Sequence, residues 1–107
     1  MNSYALPEYL PRFDAEGFLA EPDRWNESLA RRIATFDGLG ELDARQWSVV
    51  RALRNEFSLA HVLPAPHHAC RLAGQDSGCM HTLFPGAREV WRLAGLPDPG
   101  EEARAYL

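Results

Sequence analysis

With 107 residues, 46% of them hydrophobic, the chain is sized for one compact domain and not for two. Its formal charge of −4 excludes a general electrostatic pull toward nucleic acid or an anionic membrane. The three Trp, three Tyr and five Phe argue against disorder, because their apolar area offsets the entropy of ordering.

Every cation is an arginine, which removes Schiff-base and acyl-lysine chemistry from consideration. No apolar run approaches the roughly 20 residues of a membrane span, and "MNSYALPEYLPRF" lacks a basic stretch followed by an apolar one. Together with only two cysteines, Cys70 and Cys79, this points to a cytoplasmic, reducing setting.

In chain order, Pro7 and Pro11 break any helix, and "DAEG" at Asp14–Gly17 offers turn chemistry between two short apolar pieces, so a β-hairpin is expected over about 4–20. Pro22 suits a first helical turn, and Trp25, Leu29, Ile33 and Phe36 recur at helical spacing, so one amphipathic helix is expected to stop near Gly38 or Gly40. Asp43 and Gln46 form a variant capping box ahead of a long helix with a stripe of Trp47, Val50, Leu53, Phe57 and Ala60. "LPAP" breaks that helix. Pro66 opens a short one through Leu72, Gly74 and Gly78 bracket a turn, and a further apolar turn covers Cys79–Phe84. A last helix holds Val90, Trp91 and Leu93 and closes at Gly95, after which Pro97 and Pro99 leave 96–107 as a surface arm. The expected fold is mainly α: a small orthogonal helical bundle over about 22–95, with the hairpin before it and an extended C-terminal arm after it.

Reactive side chains concentrate in "HVLPAPHHACRLAGQDSGCMH". His67, Cys70, Cys79 and His81 could in principle surround tetrahedral zinc, but a Cys-X-His pair points its two ligands apart, so no metal and no other cofactor is expected. Cys70 and Cys79 are also candidates for thiol chemistry. Helices meeting across "GQDSG" would bring them within disulfide range, or His67, His68 and Arg71 would lower a thiol pKa; buried, inert thiols are the alternative. Arg51 and Arg54 offer an exposed basic edge, either a solvated face or a contact for a partner's carboxylate or an anion. There is no phosphate loop, dinucleotide fingerprint or nucleophile elbow.

Four segments in order, "FDAEGFLAEPDRW", "ELDARQWSVVRALRNEF", "LFPG" and "RLAGLPDP", resemble the DsrC/TusE family of sulfur-relay proteins, also called the dissimilatory sulfite reductase gamma-subunit family. The resemblance implies a helical bundle with a small hairpin and a mobile arm, whose penultimate cysteine carries sulfur as a persulfide. It also implies protein partners in tRNA wobble-uridine thiolation or sulfite-reductase systems. DsrC-type members add a cysteine just ahead of the "R-x-A-G-L-P" segment. Here the two thiol positions hold Tyr106 and Trp91, and the region from Pro66 to Leu83 is shorter than in relay members. A phenol or an indole cannot carry sulfane sulfur. The expected function is therefore a non-catalytic interaction or regulatory paralogue, with Tyr106, Arg104, Arg92, Arg51 and Arg54 as partner contacts and neither a membrane nor direct general nucleic-acid binding in its role. The alternative is a sulfurtransferase or thiol-redox protein working through Cys70 or Cys79.

Overall fold

Asn26 decides where the first helix starts. In the computed structural model, which describes residues 11–60, 63–76, 78–105 and 107, the Asn26 side chain accepts a hydrogen bond from the Leu29 amide at 2.8 Å. Such a cap contributes about 1 kcal/mol by satisfying an otherwise orphan donor. The single helix expected from Pro22 is therefore two pieces, a 3₁₀ turn at Pro22–Arg24 and helix α1 at Glu27–Phe36. Trp25, expected on the helical stripe, lies between them in extended backbone. The buried side of α1 is Leu29, Ala30, Ile33 and Ala34, while Phe36 is 84% exposed and does not belong to the core. The helix stops as expected: the Leu39 amide donates to Ala34 O at 2.8 Å and the Gly38 amide to Thr35 O, with Gly38 at φ 80°.

Helix α2, Ala44–Ala60, carries the expected capping box. The Gln46 amide donates to the Asp43 carboxylate and the Asp43 amide to the Gln46 side-chain oxygen, both at 2.8 Å. Its core stripe is Trp47, Val49, Val50 and Leu53; Phe57 is half-buried and Ala60 exposed, so the stripe fades toward the C-terminus. Helices α3, Pro66–Leu72, and α4, Cys79–Thr82, follow as a short pair, then α5, Ala87–Leu93, and a single helical turn α6, Glu101–Arg104. Helix α5 packs against α1, α2, α3 and α4, and α2 also packs on α3. The core between them includes Val50, Leu53, Val90, Leu93 and Leu96, and no polar side chain is buried among the described residues. The fold is a mainly helical bundle.

The N-terminal hairpin contracts. Residues 4–10 lie outside the described residues, and among the described ones pairing is limited to a single antiparallel bridge, Phe13 to Leu19. The reason is local. Asp14 Oδ1 accepts from the amides of Glu16 and Phe18, both at 2.9 Å, and winds the chain into a tight turn. Phe18 and Leu19 are then drawn fully into the helical core instead of extending a strand.

Candidate functional site

The base of the arm is built by side chains distant in sequence. Gly95 closes α5 at φ 70°, and a Cβ there would sit 2.2 Å from Trp25 Cδ1, so only glycine fits. The Trp25 indole donates to Leu93 O at 2.8 Å. Arg54 lies between the rings of Trp25 and Phe57, with its guanidinium carbon 5.0 and 5.4 Å from their centroids. It donates to the carbonyls of Ala94 at 3.3 Å, Gly95 at 3.2 Å and Pro22 at 2.9 Å. Burial lowers its pKa below the ordinary guanidinium range, opposed by the charge of Asp23. Trp91, 2% exposed, donates its indole N–H to Pro97 O at 2.8 Å and pins the first turn of the arm.

Arg92 makes a different set of contacts. Its Nε donates to Gly17 O at 2.8 Å, its Nη1 pairs with both carboxylate oxygens of Asp37, and the guanidinium faces Phe13. One side chain thereby ties the N-terminal turn to the end of α1 and to α5. Arg51 pairs with Glu27, donating at 2.8 and 3.0 Å, and faces the Trp47 ring. That hydrogen bond holds the Glu27 carboxyl below its ordinary value and raises the Arg51 guanidinium above its own.

The arm does not stand out from the bundle. Asp98 accepts from the Gly100 amide at 2.8 Å and from Arg104 Nη1 at 2.6 Å, and Arg104 Nε lies 3.7 Å from Glu16. Leu107 packs against the core. Contrary to the expected extended arm, the segment folds back as one helical turn beside the N-terminal turn, because Arg104 has carboxylates on both sides of it. Tyr106 lies outside the described residues.

Cys70 and Cys79 form a disulfide with a Cα–Cα distance of 5.8 Å. The packing of α3 on α4 brings the two together, and they are 0% and 2% exposed. Of the alternatives the sequence left open, the disulfide pairing across the turn is the one observed, in place of free thiols, and neither sulfur is a thiolate in this state. The four-residue metal set loses both sulfur ligands to each other, leaving His67 and His81 exposed on separate helices. His68, expected to tune a thiol, is 3.2 Å from Glu56 and in contact with Arg71 at 3.3 Å.

Of the five expected partner contacts, Arg51, Arg54, Arg92 and Arg104 all carry intramolecular partners. What sequence reasoning missed is the outer side of α1, where Arg31, Arg32 and Phe36 border a groove. The available signal was the Arg31–Arg32 doublet one turn ahead of an aromatic.

Comparison with known proteins agrees with this architecture. A family model described as "DsrC like protein" matches residues 8–101. The chain is 36% identical over 95 residues to sulfurtransferase TusE of Salmonella choleraesuis (strain SC-B67), covering 80% of this chain and 86% of that protein. It is 33% identical over 95 residues to TusE of Escherichia coli (strain K12), with the same coverage. The NMR structure of Allochromatium vinosum DsrC superposes with a TM-score of 0.69 at 28% identity, over 83% of this chain and 87% of that one. A chain of the crystal structure of dissimilatory sulfite reductase I (DsrI) superposes with a TM-score of 0.72 over 84% and 88%; at 23% identity it bears on the fold alone. Matched over residues 8–101 by that model and over 80% of its length by TusE sequences, the chain belongs to the DsrC-like protein family.

Proposed function

We propose that this chain is a non-catalytic docking protein of sulfur metabolism, a DsrC/TusE-like paralogue that engages relay or sulfite-reductase proteins without carrying sulfur itself. The observation that carries the proposal is the state of its two cysteines, joined to each other and buried. Persulfide relay needs a thiolate that attacks a sulfane sulfur and is later attacked in turn. A sulfur 0–2% exposed inside a disulfide does neither. The arm from Leu96 to Leu107 carries no cysteine, and the position ahead of Arg92 is filled by Trp91, whose indole braces the arm. The names of the relatives, sulfurtransferase TusE, support the pathway; the residues of this chain support a role within it that depends on contact.

The test is incubation with a persulfide donor followed by intact mass spectrometry of wild type, Cys70→Ser and Cys79→Ser. Wild type is expected to gain no sulfur atom. Adding it to a relay reaction of a cysteine-bearing family member is expected to slow transfer by competing for the dock. A sulfur that loads onto Cys70 or Cys79 and unloads to an acceptor overturns the proposal.

A further inference from the structure

Helix α1 presents an outer side that the bundle leaves uncovered. Arg32 and Phe36, four residues and one turn apart, are both exposed there, Phe36 at 84%. With Phe13, Leu29 and Ile33 they border a groove of about 810 Å³ whose walls are mainly apolar. A large aromatic left this open forgoes its burial free energy unless something covers it.

Charge indicates what kind of molecule that is. The chain as a whole carries −4, yet three guanidiniums, Arg31, Arg32 and Arg92, line this one groove. Arg92 is neutralised by Asp37, and Arg31 rests over the Trp47 ring at 5.4 Å. Arg32 has no carboxylate within ion-pair distance among the described residues. Among the described residues, an excess of two positive charges thus edges an apolar floor on an otherwise acidic protein. Arginine and aromatic residues are also the types that dominate protein interfaces, where the planar fork of arginine takes a carboxylate in two parallel bonds.

We propose that this groove docks an acidic segment of a partner protein, with an apolar side chain seated between Phe13 and Phe36 and a carboxylate held by Arg32 and Arg31. A wall residue as exposed as Phe36 does not enclose a small ligand; it is covered only by something broad, which favours a polypeptide. The inference rests on the docking role proposed above and gives that role a surface.

The full chain is titrated against a fluorescein-labelled peptide, EELFEEFL, and its glutamine counterpart, QQLFQQFL, with anisotropy as the readout. The acidic peptide is expected to bind more tightly by about tenfold, the worth of one charge-assisted contact, with an advantage that shrinks as salt rises. Arg32→Glu and Phe36→Ser are each expected to weaken binding by about tenfold while leaving Tm unchanged, since both side chains face solvent. Equal affinity for the two peptides, absence of binding, or full binding by either variant overturns the proposal. So does binding of decanoate with no peptide binding, which assigns the groove to a small amphiphile, or a dimer that Arg32→Glu abolishes, which assigns it to a second copy. Failure here leaves the sulfur-loading result untouched. Conversely, a chain that loads sulfur and still binds EELFEEFL retains this site and loses the cargo-free reading.

Discussion

Reduction of the Cys70–Cys79 disulfide is expected to cost stability by a calculable amount. The two residues are nine apart in sequence. Closing a loop of that length removes about 9 cal/mol/K from the unfolded ensemble, or about 2.6 kcal/mol at room temperature. Unfolding a domain of this size carries an entropy of about 225 cal/mol/K, so the reduced protein should melt about 12 °C lower. The assay is calorimetry of protein unfolded, reduced, and refolded in dithiothreitol, against the oxidised form. The double variant Cys70→Ala/Cys79→Ala serves as control, because dithiothreitol should leave its Tm unchanged. Since both sulfurs are buried, iodoacetamide should label the natively folded, reduced protein only as fast as α3 and α4 open. A Tm shift under about 3 °C would refute the loop-entropy reasoning. Rapid labelling would refute the burial, and with it the premise that these sulfurs are withdrawn from chemistry.

Gly95→Ala should destabilise by about 3 kcal/mol, combining left-handed backbone strain with a Cβ forced into Trp25; Gly40→Ala, also at φ 70° but facing open space, should cost only about 1 kcal/mol. Chemical denaturation of the two variants separates the clash from the strain. Arg104→Gln should leave global stability within about 1 kcal/mol yet accelerate amide exchange at Leu107, whose N–H donates to Arg104 O; unchanged exchange would mean that the carboxylates of Asp98 and Glu16 do not hold the arm. Glu27 is held below its ordinary pKa of 4.5, first by its hydrogen bond from Arg51, so its contribution is present above pH 4.5 and lost as pH falls through the folded-state value. Glu27→Gln should therefore flatten the acid limb of a Tm-against-pH profile in that window and leave the neutral region alone.

What was legible from residues alone was local. The capping box of Asp43 and Gln46, the stop at Gly38 and the closure at Gly95 are decided within a few residues, by which backbone donors need partners and which positions need a left-handed turn. The four segments resembling the DsrC/TusE family were likewise visible as text, and the family model and relatives agree with them. Helical spacing nonetheless misplaced Trp25, because periodicity cannot register that Asn26 restarts the helix after it, and Phe36, which keeps the phase of Leu29 and Ile33 yet lies 84% exposed at the end of the helix.

The sequence by itself determined a small helical domain, the main stop points of its helices, and the absence of cysteine from the arm. Only the tertiary structure decided which charges were already engaged: Arg54 reaches carbonyls 32 to 41 residues away and Arg92 a carbonyl 75 residues away, so cations that looked available are intramolecular braces. It likewise decided that Cys70 and Cys79 meet out of water, and that the arm folds back onto Asp98 and Glu16. The physical reason is common to all three. Burial and pairing are set by which surfaces helices present to one another, and that depends on the whole packing rather than on any short window of the chain.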